Sequence, residues 1–330
     1  MAANSSLKNY SKEAKNYFFV WPRDGVFVSL AAKELGLNNI SDGFFDWLKS
    51  RAEDWKKKGI FYENYHPNGL KKGIRFQPDQ TGAVLYALAK IYRGDEVKLK
   101  RYKTLIRNSA NGICKFWRDD HFKISTNDIW EERITFPDLE GNFLYSLASC
   151  IKGLEFANKL FPNEKYVNAA KEMKKIILVS AKDKGYFIRM TGEMEDARVG
   201  ASSLGLIWPF GVLPLKHKVV KKTLIKIEKD LIIKNGLHRY QDDRYDGWMQ
   251  DGKHRKRGAG YWPLLNFWLA IIYNKQGNKE IAMKYYNKVI NDVENYIPEQ
   301  IFENKLQESP CPLAWSHAMF VLATKELKIL

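Results

Sequence analysis

Apolar residues recur at helical spacing almost from end to end of this chain, and the helical segments are of two kinds. Tyr261–Tyr273 is apolar nearly all round, whereas Lys279–Tyr296, which follows it, has one apolar stripe and one charged face. A helix apolar on every side must be buried, and an amphipathic one sits half exposed. Repeating that pair dictates two concentric layers of helices, an inner buried one and an outer half-exposed one. The spacing predicts further helices over Gly25–Leu35 with its partner Asp42–Trp55, over Gln80–Tyr92 and Val97–Trp117, over Leu139–Leu160 and Glu164–Leu178, and over Ser202–Trp208, Lys218–Ile233 and Leu313–Lys328. Val84, Leu85, Leu88 and Ile91 fall on one stripe, and Phe161-Pro162-Asn163 stops one helix and starts the next. No run alternates apolar and polar residues for more than a few positions. The class is therefore all-α, with function carried by the loops between helices.

The 330 residues contain no Gly/Ser/Pro-rich linker, so residues 1–330 read as a single domain. The net charge is +16, from 54 basic and 38 acidic residues. The basic residues are mostly lysines scattered through helical stretches, with local clusters at Lys56-Lys57-Lys58 and Lys253-His254-Arg255-Lys256-Arg257. No nucleic-acid-binding motif accompanies the charge, so a solvated lysine-rich surface is expected and no nucleic-acid partner. Cys114, Cys150 and Cys311 are widely spaced, and the His residues show no ligand spacing; neither a disulfide framework nor a metal site is expected. Met1–Lys15 lacks the apolar centre of a signal peptide, and Tyr261–Tyr273 is too short to span a bilayer. A cytoplasmic chain without a membrane segment is the expectation.

The residues that carry chemistry are clustered. Asp128-Ile129-Trp130-Glu131-Glu132-Arg133 puts three carboxylates, an indole and a guanidinium side by side, and a second acidic motif, Ile297-Pro298-Glu299-Gln300, lies far downstream. Two separated carboxylates brought together by a fold are the minimum equipment for cleaving a glycosidic bond, and aromatic faces are what a sugar ring stacks on. A general acid working at neutral pH needs a raised pKa, which burial of Glu131 against Trp130 and beside Glu132 would supply. Taken alone, the same stretch is equally a surface acidic turn with Arg133 as ion-pair partner. Pro298 gives Glu299 a rigid mount, although an isolated Pro-Glu is also an ordinary helix-ending loop. Tyr17-Phe18-Phe19-Val20-Trp21-Pro22-Arg23-Asp24 sets a donor and an acceptor next to an aromatic platform, as sugar hydroxyls require; Asp24 could also simply cap a helix. Leu237–Asp243, Gly258–Leu264 and Pro312–His317 are weaker clusters.

In this order the clusters resemble, over nearly the whole chain, the catalytic domain of glycoside hydrolase family 15, the glucoamylase family, in its bacterial and archaeal branch. The most specific pieces are Trp21-Pro22-Arg23-Asp24, Asp128–Arg133, Pro298-Glu299-Gln300 and Pro312–Ala318, with Gln77-Pro78-Asp79-Gln80 ahead of an inner helix. The resemblance implies an (α/α)6 barrel and hydrolysis of α-glucosidic bonds from non-reducing ends with inversion, without a cofactor. It implies Glu131 as general acid and Glu299 as general base. Arg23 and Asp24 would grip the terminal glucose, with Tyr17 and Trp21 as walls. Asp128, Trp130 and Glu132 would surround the acid, Arg239 would be the arginine of an Arg-Tyr segment, and Trp262 would line the substrate entry. An α-glucan or oligosaccharide is the implied substrate. Trehalase or glucodextranase activity, and an inactive glycan-binding or regulatory relative, are the alternatives. Family members carry a helix ahead of the Trp21–Asp24 loop and tend to carry an N-terminal β-sandwich. The barrel is therefore expected to be one helix short, with an apolar groove between the helix after Asp24 and the last helix. A separate chain carrying the missing helix and β-sandwich, a second copy in a homo-oligomer, or Leu7–Tyr17 would cover it.

Overall fold

The computed structural model describes residues 17–247, 258–304 and 307–329; the segment before Tyr17 and the basic cluster Lys253–Arg257 lie outside them. The helices are α1 (Pro22–Glu34), α2 (Asn38–Ser50), the short α3 (Trp55–Lys58), α4 (Pro78–Ile91), α5 (Glu96–Arg101), α6 (Lys103–Phe116), α7 (Leu144–Leu160), α8 (Glu164–Ser180), α9 (Lys218–Leu231), α10 (Pro263–Lys275), α11 (Lys279–Asp292) and α12 (Ala314–Glu326). A 3₁₀ segment, Ala201–Leu206, stands between α8 and α9. Two antiparallel two-residue ladders complete the list: β1 (Asn142–Phe143) pairs with β2 (Met190–Thr191), and β3 (Ile232–Ile233) with β4 (Gly236–Leu237).

The layers follow the two kinds of helix. Every residue of α10 from Pro263 to Tyr273 is buried, whereas its partner α11 buries only Ala282, Tyr285, Tyr286 and Val289. The inner elements form a closed ring: α1 packs on α4, α4 on α7, α7 on the 3₁₀ segment, that segment on α10, α10 on α12, and α12 back on α1. Outside it, α2 covers α1, α6 covers α4 and α7, α8 covers α7, α9 covers the 3₁₀ segment and α11 covers α10. This is the (α/α)6 arrangement. The α4–α7 seam is the tightest because Gly82 lies against the backbone of Ser149 and Cys150, at 2.5–2.6 Å from where a Cβ would stand; a Cβ on Gly153 would meet the Gly82 carbonyl at 3.0 Å. The ring is filled by aromatic side chains around the fully buried Trp268, with Phe27, Tyr145, Trp208 and Trp315 at 6.0–6.3 Å between ring centroids.

Three elements differ from the sequence expectation. Val97–Trp117 splits into α5 and α6 at Tyr102, whose ring is drawn into the core against Tyr92 (5.4 Å) and Phe45 (5.8 Å). The helix expected from Leu139 starts only at Leu144, because Asn142 and Phe143 pair with the strand at Met190 instead. Ser202–Trp208 is a 3₁₀ turn rather than an α-helix. As for the expected shortfall, the inner ring has its six elements, and the outer layer has five helices among the described residues. α1 and α12 pack directly on each other along their length. An apolar depression lies instead between α1, α2 and the first turn of α12, lined by Val28, Ile40, Phe44 and Trp47.

Candidate active site

Local chemistry aims residues into one end of the ring. α1, α4 and α10 each begin with proline, preceded by Trp21, Gln77 and Trp262. Proline is tolerated at the first helical position because the N–H it lacks would have no partner there, and it forces the residue before it into extended backbone. Trp21 (φ −89°, ψ 121°), Gln77 (−111°, 105°) and Trp262 (−104°, 111°) comply, and Trp21 and Trp262 line the cavity there. None of α1, α4, α7, α10 and α12 has a side-chain N-cap, while the outer α8, α9 and α11 are capped by Asn163, His217 and Asn278. The inner helices thus turn the positive ends of their dipoles to this end of the barrel, and the first-turn N–H of Arg23 is satisfied from another helix, by Gln80 Oε1 at 2.6 Å.

A cavity of about 560 Å³, its open mouth included, occupies this end. Glu131 and Glu299, from opposite halves of the chain, both line it. Glu131 sits at φ 62°, a left-handed conformation that costs a residue with a Cβ on the order of 1–3 kcal/mol and concentrates at functional sites. The loop is built to hold it there: Asp128 accepts hydrogen bonds from the N–H groups of Glu132 (2.8 Å) and Arg133 (3.1 Å), and Gln77 donates to the Asp128 carbonyl (2.9 Å). The Glu131 carboxyl accepts from the Trp21 indole at 2.6 Å. Burial, reinforced by the negative charge of Glu63, pushes its pKa up to about 8. Glu299 is mounted on both sides, its N–H donating to the Pro310 carbonyl (2.9 Å) and that of Gln300 to the Ser309 hydroxyl (3.0 Å). Tyr17 donates to Glu299 at 2.9 Å and lies 3.0 Å from the Tyr245 hydroxyl.

Arg23 and Asp24 line the same cavity, as the sequence leads one to expect. Arg23 is pinned by Asp79 (3.1 Å) and Gln77 (3.3 Å) and stacks over Trp315, 4.9 Å from the ring centroid. Burial raises the Asp24 pKa to about 6, against the pull of the neighbouring Arg23. Arg239 is buried with its guanidinium 4.9–5.3 Å from the ring centroids of Trp130, Tyr240, Tyr245 and Trp262, and it pairs with Glu132 (2.6 Å) and Asp243 (2.7 Å). Tyr240 also bonds Glu132. Trp130 meets Trp262 edge to face at 5.1 Å. Of the expected residues Tyr17, Trp21, Arg23, Asp24, Trp130, Glu131, Glu132, Arg239, Trp262 and Glu299 line the cavity; Asp128 does not, its carboxylate being turned into its own loop and towards Arg189 (3.5 Å).

The sequence reading missed Tyr245, Trp315 and Glu63 as site residues. Trp315 was visible in the Pro312–Ala318 motif, but nothing local marks Tyr245 or Glu63. Several buried polar atoms at the cavity have no hydrogen-bond partner among the described residues: Nε of Arg23, Oδ1 of Asp24 and the indole N–H groups of Trp130, Trp262 and Trp315. Buried polar groups are normally satisfied, so this set of donors and one acceptor is arranged for a ligand rich in hydroxyl groups. Among the described residues no group of three His, Cys, Asp or Glu side chains is placed to hold a metal ion, and no helix is long and apolar enough to cross a membrane.

No protein-family model matches the chain. It is 27% identical to an uncharacterized glycosyl hydrolase of Methanocaldococcus jannaschii, an alignment covering 94% of this chain and 51% of the relative. It is 21% identical to an isomaltose glucohydrolase of Kribbella flavida (94% and 85%) and 26% identical to trehalase 1 of Sulfolobus acidocaldarius (99% and 60%). The chain thus spans about half the length of the first of these. Among solved structures it is similar to a glycosidase with a TM-score of 0.80 at 19% identity, over 97% of this chain and 91% of that one. It is also similar to a bacterial glucoamylase in complex with acarbose, with a TM-score of 0.72 at 18% identity, over 93% and 49%. The sequence relatives are thus named as glycoside-cleaving enzymes, consistent with the resemblance read from the motifs, and the double ring of helices is the fold of the solved glucoamylases.

Proposed function

We propose that the chain is a glycoside hydrolase that removes glucose from the non-reducing ends of α-glucosides, with inversion at the anomeric carbon. The observation that carries this reading is that two buried carboxylates, Glu131 and Glu299, line one cavity in which the indole N–H groups of Trp130, Trp262 and Trp315 have no hydrogen-bond partner among the described residues. Glu131, protonated at neutral pH because burial holds its pKa near 8, is the general acid. Its proton goes to the glycosidic oxygen as the bond to the anomeric carbon breaks. Glu299 is the general base: it takes a proton from the water that attacks that carbon from the opposite face. The Tyr17 hydrogen bond fixes the orientation of the Glu299 carboxylate. Arg23 and Asp24 bind the hydroxyls of the terminal glucose, and Trp130, Trp262 and Trp315 offer both ring faces and N–H donors.

Inversion needs the two carboxyl groups roughly 6.5–9.5 Å apart so that a water fits between base and substrate. In support, Glu131 and Glu299 are held by different aromatic residues, Trp21 and Tyr17, whose rings stand 5.4 Å apart. Isomaltose and trehalose join maltose as candidate substrates because relatives named for the first two align over nearly the whole chain. The test is glucose release from maltose, isomaltose, trehalose and soluble starch by the purified chain, with the first anomer followed by NMR. β-Glucose from at least one substrate is expected. α-Glucose as first product overturns inversion. Glycan binding without glucose release from any of them overturns hydrolysis in favour of an inactive glycan-binding relative.

A further inference from the structure

The segment Gln77-Pro78-Asp79-Gln80 leads into α4 behind the wall of the cavity, and its three polar side chains are fully buried. A buried amide or carboxylate is tolerated where its hydrogen bonds are made, so the partners of each atom show what the group holds in place. Asp79 is engaged by Arg23 and by the Ser146 hydroxyl (3.3 Å). Gln77 stands at the N-cap position of α4 but does not cap it; its side chain crosses instead to the loop that carries Glu131.

The surrounding bonds fix which way the Gln77 amide faces. Its oxygen accepts from Gln80 Nε2 (2.5 Å) and from the Arg23 guanidinium (3.3 Å). Gln80 is itself held, its oxygen accepting from the Arg23 N–H and its nitrogen donating also to the Glu63 carbonyl. With both donors on the oxygen of Gln77, its nitrogen is left to face the Asp128 carbonyl at 2.9 Å. That carbonyl is also the acceptor for the N–H of Glu131 (3.0 Å), the bond that closes the turn in which Glu131 takes its left-handed conformation. A residue keeps such a conformation where its surroundings over-determine it. The Asp128 carboxylate gives the loop its shape; the Gln77 amide sets where that shape stands relative to Arg23.

We infer that Gln77 is the positioning residue of the general acid: one amide holds the turn that aims the Glu131 carboxyl at the leaving group and, through its oxygen, the arginine that grips the terminal sugar. The inference rests on the roles given to Glu131 and Arg23 above. It has a chemical signature. A sugar hydroxyl leaves with difficulty unless the acid protonates it as the bond breaks, so turnover of a disaccharide is sensitive to where the acid points. In α-glucosyl fluoride the C–F bond breaks with the electron pair going to fluoride, a good leaving group, and water supplies the new oxygen. That reaction needs the base and the sugar pocket but little help from the acid.

Steady-state kinetics of the full chain on its best disaccharide and on α-glucosyl fluoride test this, with the wild type, Gln77→Met, Gln77→Glu and Glu131→Gln. Methionine removes the amide at similar length. Glutamate keeps the shape and the acceptor for Arg23 and Gln80 but sets an oxygen against the Asp128 carbonyl. Both Gln77 variants should lower kcat on the disaccharide on the order of 10–100-fold, as a displacement of about 1 Å does, and change KM less than about threefold. On α-glucosyl fluoride they should stay within about threefold of the wild type. Glu131→Gln should show the same pattern with a larger loss. Gln77 variants that lose both substrates alike while Glu131→Gln spares the fluoride overturn the inference and leave the amide a structural role, and so does an unchanged kcat on the disaccharide. If Glu131→Gln loses both substrates alike, or the wild type hydrolyses neither, the role of Glu131 as acid is what fails, and the inference falls with it.

Discussion

The two ends of the barrel carry opposite charges for one reason. At the first turns of α1 and α4 stand Asp24 and Asp79, and the loops that carry Glu131 and Glu299 lie at the same end; at the last turns of α1, α4, α10 and α12 stand Lys33, Lys90, Lys275 and Lys325. Inner helices that all start at one end add their dipoles, positive towards the carboxylates and negative towards the lysines. The difference between the ends is one of sign, and what they share is more instructive. Glu131, at the end that favours anions, is pushed towards its neutral acid, and Lys90, at the end that favours cations, is pushed towards its neutral amine. In both cases burial is the largest cause. A dipole contributes about 0.3–1 kcal/mol to an exposed charge, whereas desolvation can move a pKa by several units. The dipoles favour the residue types that gather at each end; burial sets the direction in which the pKa values of Glu131 and Lys90 move.

Substitutions at the two ends should therefore separate cleanly. The largest effect belongs to Glu131→Gln and Glu299→Gln, each expected to lower turnover by roughly 10²–10⁴-fold with the circular-dichroism spectrum intact, while Lys90→Met leaves turnover unchanged. Near-normal turnover in either carboxylate variant removes that residue from the mechanism. Asp24→Asn should reduce kcat/KM on the order of 10–100-fold, the loss expected for one charged hydrogen bond, and steady-state kinetics on the best substrate will show it.

Glu131 also couples the site to stability. Its folded pKa of about 8 lies above the ordinary 4.5, so the folded state holds the proton more tightly than the unfolded chain. Its contribution is fully present below about pH 4.5 and is lost as pH rises towards 8. Turnover should fall as pH is raised through 8, where the acid loses its proton. Thermal melts should find Glu131→Gln more stable than the wild type at pH 8, by up to about 4 kcal/mol, and little changed at pH 5. A difference of equal size at both pH values would mean that the carboxyl is not held neutral. The smallest expected effect is at the lysine end: Lys33→Ala should cost about 0.3–1 kcal/mol, measurable by denaturant titration at low salt and diminished at high salt.

The helices were legible because each inner one is apolar on every side and each outer one has a single stripe, so Tyr261–Lys275 and Lys279–Tyr296 were placed within a few residues of α10 and α11. Proline and glycine supplied their ends. Tyr102 misled because a tyrosine at helical spacing gives no sign that its ring will turn inward and break the helix. The carboxylates of the cavity were legible because they sit in compact motifs with an indole or a proline alongside. Glu63 was not: it stands in an irregular loop held by isolated bridges such as Tyr62 with Phe76, by its own N–H to the Arg75 carbonyl (3.0 Å) and by a hydrogen bond from Gln80 to its carbonyl (3.1 Å). Tyr245 was missed for a similar reason, since its place beside Glu299 depends on a contact to Tyr17, 228 residues earlier in the chain.

The seam at Gly82 and Gly153 bears on how such a protein can change over generations. Neither position can accept a side chain unless α4 and α7 move apart, and that movement would carry Asp79, the anchor of Arg23, with it. A single substitution there is a step downhill with no neighbouring step to recover it, so the wall that holds Arg23 is closed to gradual exploration. The position of a side chain that lines the cavity is thus set by two glycines that lie outside it.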